Sequence, residues 1–205
     1  MAEELLGNGL WFSKCNFIYD KININNKMEE LKLLFEVIDE KEFSDKVNIK
    51  FDNILEGFDS YYNGNLQGNL DISKKVVEEK FLSFFERLLK INGEENSFID
   101  FYYQKLSEED KSRLKELLTE NDEKVLKLAE EELKGEGIYF RLSKEILPFI
   151  LRLSTREVLF STFYFTKIPC TIWGNYNMKF PCFFNNYENM KLYKDISKDM
   201  DLEIE

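Results

Sequence analysis

The sequence contains no histidine and only three cysteines in its 205 residues. Without imidazole, the chain cannot assemble a Ser-His-Asp or a Cys-His catalytic relay. Zinc sites that use histidine are excluded for the same reason, and three cysteines cannot make a four-cysteine site within one chain. Any enzyme of this sequence would have to rely on carboxylates, lysine, tyrosine or cysteine. We therefore predict no catalytic residue, no metal and no cofactor, and we favour a protein that is not an enzyme.

The sequence also predicts no secretory signal, and it has no long uncharged hydrophobic run. Its start, MAEELL, is acidic where a secretory signal is basic. The most hydrophobic region, residues 138–165, is interrupted by charged residues and by Pro148, so its uncharged runs are too short to cross a bilayer. Three cysteines are too few for a disulfide framework. We predict a soluble cytoplasmic protein with reduced thiols and no membrane contact.

Acidic residues outnumber basic ones by 39 to 28, which gives a formal net charge of −11. This charge repels phosphate backbones and attracts cationic partners. Most acidic side chains are interleaved with lysine along segments such as 108–134, a pattern typical of solvated helix faces. We therefore expect no nucleic-acid partner. An acidic mimic of nucleic acid, or an inhibitor, is a weaker alternative.

Pattern and composition predict a single domain of the α+β class over residues 1–205. We predict that a helical N-terminal two thirds packs on an antiparallel β-meander formed mainly by the C-terminal third. The helix-rich part covers 27–136, the strand-rich part covers 137–187, and a polar acidic tail covers 188–205. A strand predicted at 10–19 is a further candidate for the sheet.

Apolar residues recur with helical spacing in several segments of the first two thirds. The predicted helices are 28–38, 51–58, 73–90, 98–106, one that a capping box at Ser107 and Asp110 begins, and one from Asn121 or Asp122 to Gly135. The helix at 73–90 has the broadest apolar stripe and is expected to lie in the core. Residues 57–71 are rich in glycine and asparagine, which predicts the longest loop of the chain.

Aromatic and β-branched residues become frequent after Gly137. They predict a strand at 137–142, a helix at 143–153 that Pro148 strains, and a long strand at 157–165. The runs IPCTIW and MKFPCFF flank Gly-Asn-Tyr-Asn, which predicts a β-hairpin. The acidic tail is expected either to fray or to add an edge strand through its last apolar residues, Leu202 and Ile204.

The register of this hairpin sets the relation between two cysteines. A two-residue loop at Asn175 and Tyr176 places Cys170 opposite Pro181. A loop one residue longer places Cys170 opposite Cys182, close enough for a redox pair or for two ligands of a shared metal. Because no histidine or further cysteine lies nearby, we favour two cysteines that act as small buried hydrophobic residues.

Cationic side chains are concentrated in the strand-rich part and suggest an anion-binding site. The candidate residues are Arg152, Arg156, Arg141 and Tyr164. Guanidinium and hydroxyl donors of this kind suit carboxylate or phosphate. In an enzyme built on this site, Glu157 would serve as the acid or base. We favour a structural explanation, in which the arginines form ion pairs with acidic helices.

Aromatic residues of the predicted hairpin loop suggest a surface for a protein partner. The candidate residues are Trp173, Asn175, Tyr176 and Asn177. We favour a non-catalytic protein-interaction module that binds an unknown protein through a basic aromatic C-terminal face. This function predicts an exposed apolar patch, no deep pocket and no pair of titratable groups with perturbed pKa values. The alternative is a small enzyme or sensor that binds an anionic metabolite in a pocket where Arg152 and Arg156 converge.

Overall fold

Helices and strands are interspersed along the chain in the structure, a computed structural model that describes residues 34–69, 71–132 and 137–205. Seven α-helices occur in these residues: α1 Glu40–Lys46, α2 Ile54–Ser60, α3 Lys74–Asn92, α4 Glu108–Glu116, α5 Glu120–Glu132, α6 Leu147–Thr155 and α7 Tyr187–Asp199. Eight strands occur there: β1 Val37–Ile38, β2 Tyr62–Gly68, β3 Ser97–Asp100, β4 Tyr139–Arg141, β5 Thr162–Phe165, β6 Cys170–Trp173, β7 Phe180–Phe184 and β8 Leu202–Ile204. The described residues form one compact unit. The prediction of a single domain over 1–205 extends beyond them and stays a prediction.

The eight strands form one antiparallel sheet in the order β1-β4-β3-β5-β6-β7-β2-β8. Strands β2 and β3 come from the part of the sequence predicted to be helical, and the predicted polar tail contributes the helix α7. The predicted layout, helical N-terminal two thirds on a C-terminal β-meander, is therefore wrong, although the α+β class is consistent with the structure. The physical reason is that strands are stabilised by partners distant in sequence, such as β7 and β8 for β2.

Helix α3 packs against one face of the sheet. Its first turn is capped by Ser73, whose hydroxyl oxygen accepts a hydrogen bond from the Val76 amide. Phe85 lies against Phe163 of β5, with ring centroids 4.4 Å apart. Helix α6 packs beside α3 on the same face. The core helix predicted at 73–90 is therefore confirmed.

The opposite face of the sheet is covered by α1, α2 and the segment between them. Phe43 of α1 stacks on Tyr139 of β4, with ring centroids 3.6 Å apart. Phe51 contacts Phe183 of β7, with centroids 4.7 Å apart. A Cβ at Gly57 would lie 2.7 Å from the Phe51 ring, so this glycine allows α2 to approach closely. An opening remains over the central strands between α1 and α2.

The segment 57–71, predicted as a loop, instead ends α2 and forms β2 between β7 and β8. A Cβ at Gly64 would lie 2.5 Å from the carbonyl oxygen of Glu205. The glycine thus reflects the close approach of another strand, which is a known reason for glycine within a sheet. The predicted edge strand through Leu202 and Ile204 is confirmed as β8.

Two segments predicted to be helical have other structures. In the predicted helix 28–38, residues 34–35 form a turn that leads into β1, and residues 28–33 lie outside the described part of the chain. The predicted helix 98–106 contains most of β3 and a 3-10 turn at Tyr103–Lys105. All of β3 is buried because both faces of this strand are covered. Its apolar residues therefore do not alternate, and the segment was mistaken for a helix.

The predicted hairpin forms from β6 and β7, but its connection is longer than predicted. Cys182 pairs with Ile172, which shifts the strands by three residues from the predicted register. The connection contains a 3-10 turn at Tyr176–Met178. The Asn177 amide donates a hydrogen bond to the Glu157 carboxylate at 2.8 Å, which holds the loop toward the end of α6. Local turn chemistry did not indicate this contact.

Helix ends in the middle of the chain follow the predicted chemistry closely. The Ser107 hydroxyl oxygen accepts a hydrogen bond from the Asp110 amide at 3.1 Å, which confirms the predicted capping residue. Helix α5 begins at Glu120, and Thr119, not the predicted residue 121 or 122, accepts from the Asp122 amide at 3.2 Å. The predicted end of this helix at Gly135 lies outside the described residues, as does the predicted strand at 10–19.

The segment that follows Gly137 agrees in part with the prediction. Strand β4 confirms the strand predicted at 137–142. Helix α6 begins at Leu147, so Pro148 lies in its first turn, where an amide donor is not needed, and the predicted strain is wrong. The long strand predicted at 157–165 is reduced to β5, because its first residues form the turn that ends α6.

Candidate functional site

A pocket of about 650 Å³ lies between α1 and α2 over the central strands of the sheet. Helix α1 contributes Phe43, and the segment before α2 contributes Phe51. The sheet and its loops contribute Asp100, Tyr102, Tyr139, Phe160, Ser161, Thr162, Tyr164 and Trp173. A second depression, of about 500 Å³, lies beside β8 and is lined by Lys198 and mostly polar residues. We consider the first pocket the candidate site because it contains a buried carboxyl group.

Asp100 lies at the end of β3 and is 5% exposed. One carboxylate oxygen accepts a hydrogen bond from the Thr162 amide at 2.6 Å, in place of a backbone acceptor. The other accepts from the Tyr164 hydroxyl at 3.3 Å. Burial raises the pKa of Asp100 to about 6, because loss of solvent outweighs the effect of these hydrogen bonds. A carboxyl group that titrates near neutrality within a pocket is typical of functional sites.

Three tyrosines surround Asp100: Tyr102, Tyr139 and Tyr164. Burial is the largest cause that raises the pKa of all three phenols, and the negative charge of Asp100 is the second. The pKa of Tyr102 is raised to about 12. The charges of Glu40 and Asp52 also raise the pKa of Tyr139, so carboxylates from the helical side act on the same phenol. The three hydroxyl groups are therefore protonated at neutral pH and are able to donate or accept hydrogen bonds.

The remaining aromatic rings form the walls of the pocket. Phe43 stacks on Tyr139 with an interplanar angle of 9° and meets Tyr164 edge-on at 4.9 Å. Phe51 stacks on Trp173, with ring centroids 5.6 Å apart and an angle of 16°. These rings give the pocket apolar walls against which the body of a ligand is able to pack.

The rim of the pocket carries more negative than positive charge. Glu40, Asp52 and Glu56 are exposed carboxylates of the rim, and Lys50 is its cationic side chain. With Asp100, the pocket holds four carboxyl groups and one amine. An excess of one sign in a cleft raises the local concentration of ligands of the opposite sign. The charge of this pocket therefore favours a cationic ligand.

The arginines predicted to bind an anion are each engaged with a carboxylate. Arg152 donates to Asp122 at 3.0 and 2.5 Å, through Nε and Nη2. Arg156 donates to Glu78 at 2.9 and 2.8 Å, and a further pair joins Arg141 to Glu36 at 2.8 Å. Hydrogen bonds to these glutamates raise the pKa of Arg156 and of Arg141. The structure does not bring the three guanidinium groups into one site. Arg152 and Arg156 pair with carboxylates on α5 and α3, whereas Glu36, the partner of Arg141, lies outside the described helices.

The predicted partner-binding residues lie beside the pocket. Trp173 forms part of its wall, whereas Tyr176 is 61% exposed and meets Phe160 edge-on at 4.8 Å. Asn177 has a left-handed backbone, with φ at 57°, and Asn175 precedes the 3-10 turn. Glu157, named above as a possible acid or base, holds the Asn177 amide. The loop and the pocket therefore share one side of the molecule.

The two cysteines of the hairpin are buried and free. Cys170 pairs with Phe184 and Cys182 with Ile172, so the two cysteines lie two pairs apart along the strands and on the same face of the sheet. Burial raises the pKa of both thiols, that of Cys182 to about 12. Protonated and buried thiols are poor nucleophiles, which agrees with the role of small hydrophobic residues.

Comparisons with known proteins supply no relative for this chain. A scan against protein-family models, and searches of curated proteins and of solved structures, found no match. In the described part of the chain, no helix is long and apolar enough to span a membrane, and no group of three side chains suited to a metal occurs. The cytoplasmic location stays a prediction. The pocket is therefore the feature that bears on function.

Sequence reasoning found two residues of this pocket, Tyr164 and Trp173, and missed its centre. Asp100 lies in the run FIDFYY, where one acid stands among aromatic residues. Had the run been assigned to a strand, alternation would have placed Phe98 and Asp100 on one face. Tyr102 belongs to the same run. Helical spacing concealed this signal.

Proposed function

We propose that the protein binds a small organic cation in the pocket between α1 and α2. The observation that carries this proposal is the buried carboxylate of Asp100 at the base of an aromatic pocket with an acidic rim. The volume of about 650 Å³ lies in the range of ordinary small-molecule sites. The protein would then act as a binding or sensing protein for this cation.

The surroundings of Asp100 favour a bound positive charge. The described donors to its carboxylate are uncharged, and they include the Thr162 amide and the Tyr164 hydroxyl. Among the described residues, Asp100 forms no ion pair, and its burial raises its pKa to about 6 because a buried carboxylate without a cation is costly. A cationic ligand supplies the missing charge, and the aromatic walls pack against its body.

The pocket bears differently on the two functions predicted from the sequence. A pocket that contains Tyr164 favours a ligand-binding protein. The carboxylates of this pocket disfavour an anionic metabolite. Arg152 and Arg156 form ion pairs with Asp122 and Glu78. A protein-interaction module is the second candidate function. The exposed Tyr176, close to the pocket at Phe160, favours it.

Benzylamine and benzyl alcohol provide a direct test, because they share an aromatic body and differ in charge. In calorimetric titrations of the full chain at pH 7.5, benzylamine should bind saturably with one site. Benzyl alcohol should bind at least about tenfold more weakly, since it lacks the charge that Asp100 attracts. Equal binding of the two compounds, or binding of neither, would contradict the proposal.

The location of binding is tested by the fluorescence of Trp173. The chain has two tryptophans, so a Trp11→Phe variant leaves Trp173 as the single reporter. Benzylamine should change this fluorescence with the dissociation constant measured by calorimetry. Asp59→Asn, which removes an exposed carboxylate of α2 outside the pocket lining, is a matched control and should bind benzylamine normally.

A further inference from the structure

We propose that the cation of this pocket is an ammonium group that still carries N–H donors, a primary amine and not a quaternary ammonium. This inference rests on the proposed function and names its ligand class. The geometry that points to it is a buried carboxylate whose described donors are all neutral and include one long contact, next to aromatic faces that already stack on one another.

The described donors to the Asp100 carboxylate are all neutral, and one of their contacts is long. The Thr162 amide donates at 2.6 Å, and the Thr162 hydroxyl and the Asp100 amide also donate to the carboxylate. The Tyr164 hydroxyl, at 3.3 Å, makes only a long contact. At 5% exposure, the carboxylate has little access to water. A primary ammonium is able to replace the long contact with a charge-assisted hydrogen bond, whereas a quaternary ammonium has no N–H to donate.

Neutral hydroxyl groups in the lining add further acceptors. The phenols of Tyr102 and Tyr139 lie in the pocket and remain protonated, and each oxygen is able to accept an N–H. Ser161 also lines the pocket, and its buried hydroxyl has no hydrogen-bond partner among the described residues. Buried polar groups usually have a partner. An N–H-bearing ligand fits this collection of acceptors better than a group covered with methyl carbons.

The aromatic rings are not arranged as a cage of free faces. Phe43 covers a face of Tyr139, with centroids 3.6 Å apart, and Phe51 stacks on Trp173. Quaternary ammonium ligands are recognised by ring faces that surround the methyl groups. Because these pairs stack on each other, the rings supply apolar walls for the body of a ligand. Its charged end is then held by Asp100.

The test is a methylation series on one aromatic body: benzylamine, N-methylbenzylamine, N,N-dimethylbenzylamine and benzyltrimethylammonium. Calorimetry on the full chain at pH 7.5 gives the four dissociation constants, with all four compounds cationic. Each lost N–H removes a charge-assisted hydrogen bond, so we expect the trimethyl compound to bind about tenfold or more weakly than benzylamine. Equal or tighter binding of the trimethyl compound overturns this inference and leaves the proposed function standing. Binding of none of the four overturns the proposed function.

Asp100→Asn shows whether Asp100 is the group that distinguishes the amines. Asparagine keeps the shape of the side chain and an oxygen for the Thr162 amide, and it removes the charge. In this variant, benzylamine should bind more weakly, and the four compounds should differ by no more than about threefold. A preference for benzylamine that persists undiminished in Asp100→Asn would overturn the inference. Asp59→Asn should retain the full preference, and circular dichroism confirms that each variant is folded.

Discussion

At pH 7, Asp100→Asn should raise the free energy of unfolding by about 1 to 3 kcal/mol. The pKa of Asp100 is about 6 in the folded protein and about 4 in an unfolded chain. The folded state therefore holds the Asp100 proton more tightly than the unfolded state. The contribution of this group to stability is fully present below about pH 4 and is lost as the pH rises through 6, by up to about 3 kcal/mol. Asparagine carries no charge, so it avoids this loss.

Urea unfolding between pH 4 and pH 8 measures this effect. The wild-type protein should lose stability relative to Asp100→Asn as the pH rises, and the two should converge near pH 4. A variant that is less stable than the wild type at pH 7 would contradict the assignment of Asp100 as an uncompensated buried carboxylate. A residue whose replacement stabilises the protein and weakens binding is retained for function and not for the fold.

Arg152→Ala should destabilise the protein by about 3 kcal/mol. The Asp122 side chain is 3% exposed, and Arg152 donates two hydrogen bonds to it. Removal of the arginine leaves a buried carboxylate with the Thr119 hydroxyl as its remaining side-chain donor. Loss of one partner of a buried ion pair commonly costs 3 to 5 kcal/mol, and the partial exposure of Arg152 places the cost at the lower end.

Arg156→Ala is the matched control for this variant. Arg156 is 39% exposed, and its partner Glu78 is more accessible than Asp122. Exposed ion pairs contribute little, so this variant should lose only about 1 kcal/mol in urea unfolding. The anion hypothesis predicts a different result. In that case the wild type would bind inorganic phosphate, and Arg152→Ala would lose this binding while remaining as stable as the wild type.

Elements governed by local chemistry were predicted well from the sequence. Helix α3 has a Ser73 cap, a broad apolar stripe and Gly93 at its end, and all these signals lie within the helix or next to it. The cap at Ser107 is local in the same way. In both cases, the residues that determine the structure are within a few positions of one another, so a single stretch of sequence contains the information.

Elements that depend on distant partners were predicted poorly. Gly64 indicates a loop when only its neighbours in sequence are considered. The structural reason for a glycine there is the close approach of Glu205, which lies at the end of the chain. The connection of the hairpin contacts Glu157, twenty residues before Asn177 in the chain. Strand β3 is covered on both faces, so it lacks the alternation by which strands are recognised. In each case, the tertiary contact is absent from the local pattern.

The candidate site shows the same limit. Asp100 becomes a buried acceptor because Thr162 and Tyr164, more than sixty residues away, close over it. The arginine-rich segment drew attention because its charges are adjacent in sequence, yet Arg152 and Arg156 turn to separate carboxylates, on α5 and α3. Charge composition thus identified cations that the fold uses internally. It did not identify the pocket, which is acidic.

The most direct measurement is the affinity for benzylamine from pH 5 to pH 8. The titratable groups that face Asp100 or line the pocket with it are Tyr102, Tyr139, Tyr164, Glu40, Lys50, Asp52 and Glu56. The tyrosines stay protonated over this range because their pKa values are raised.

Asp100, with a pKa of about 6, gains its charge as the pH rises. Binding of benzylamine should therefore strengthen about tenfold between pH 5 and pH 7.5 and then level off. Asp100→Asn should bind weakly at every pH. Wild-type binding that does not change with pH, or that Asp100→Asn retains in full, would contradict the central claim.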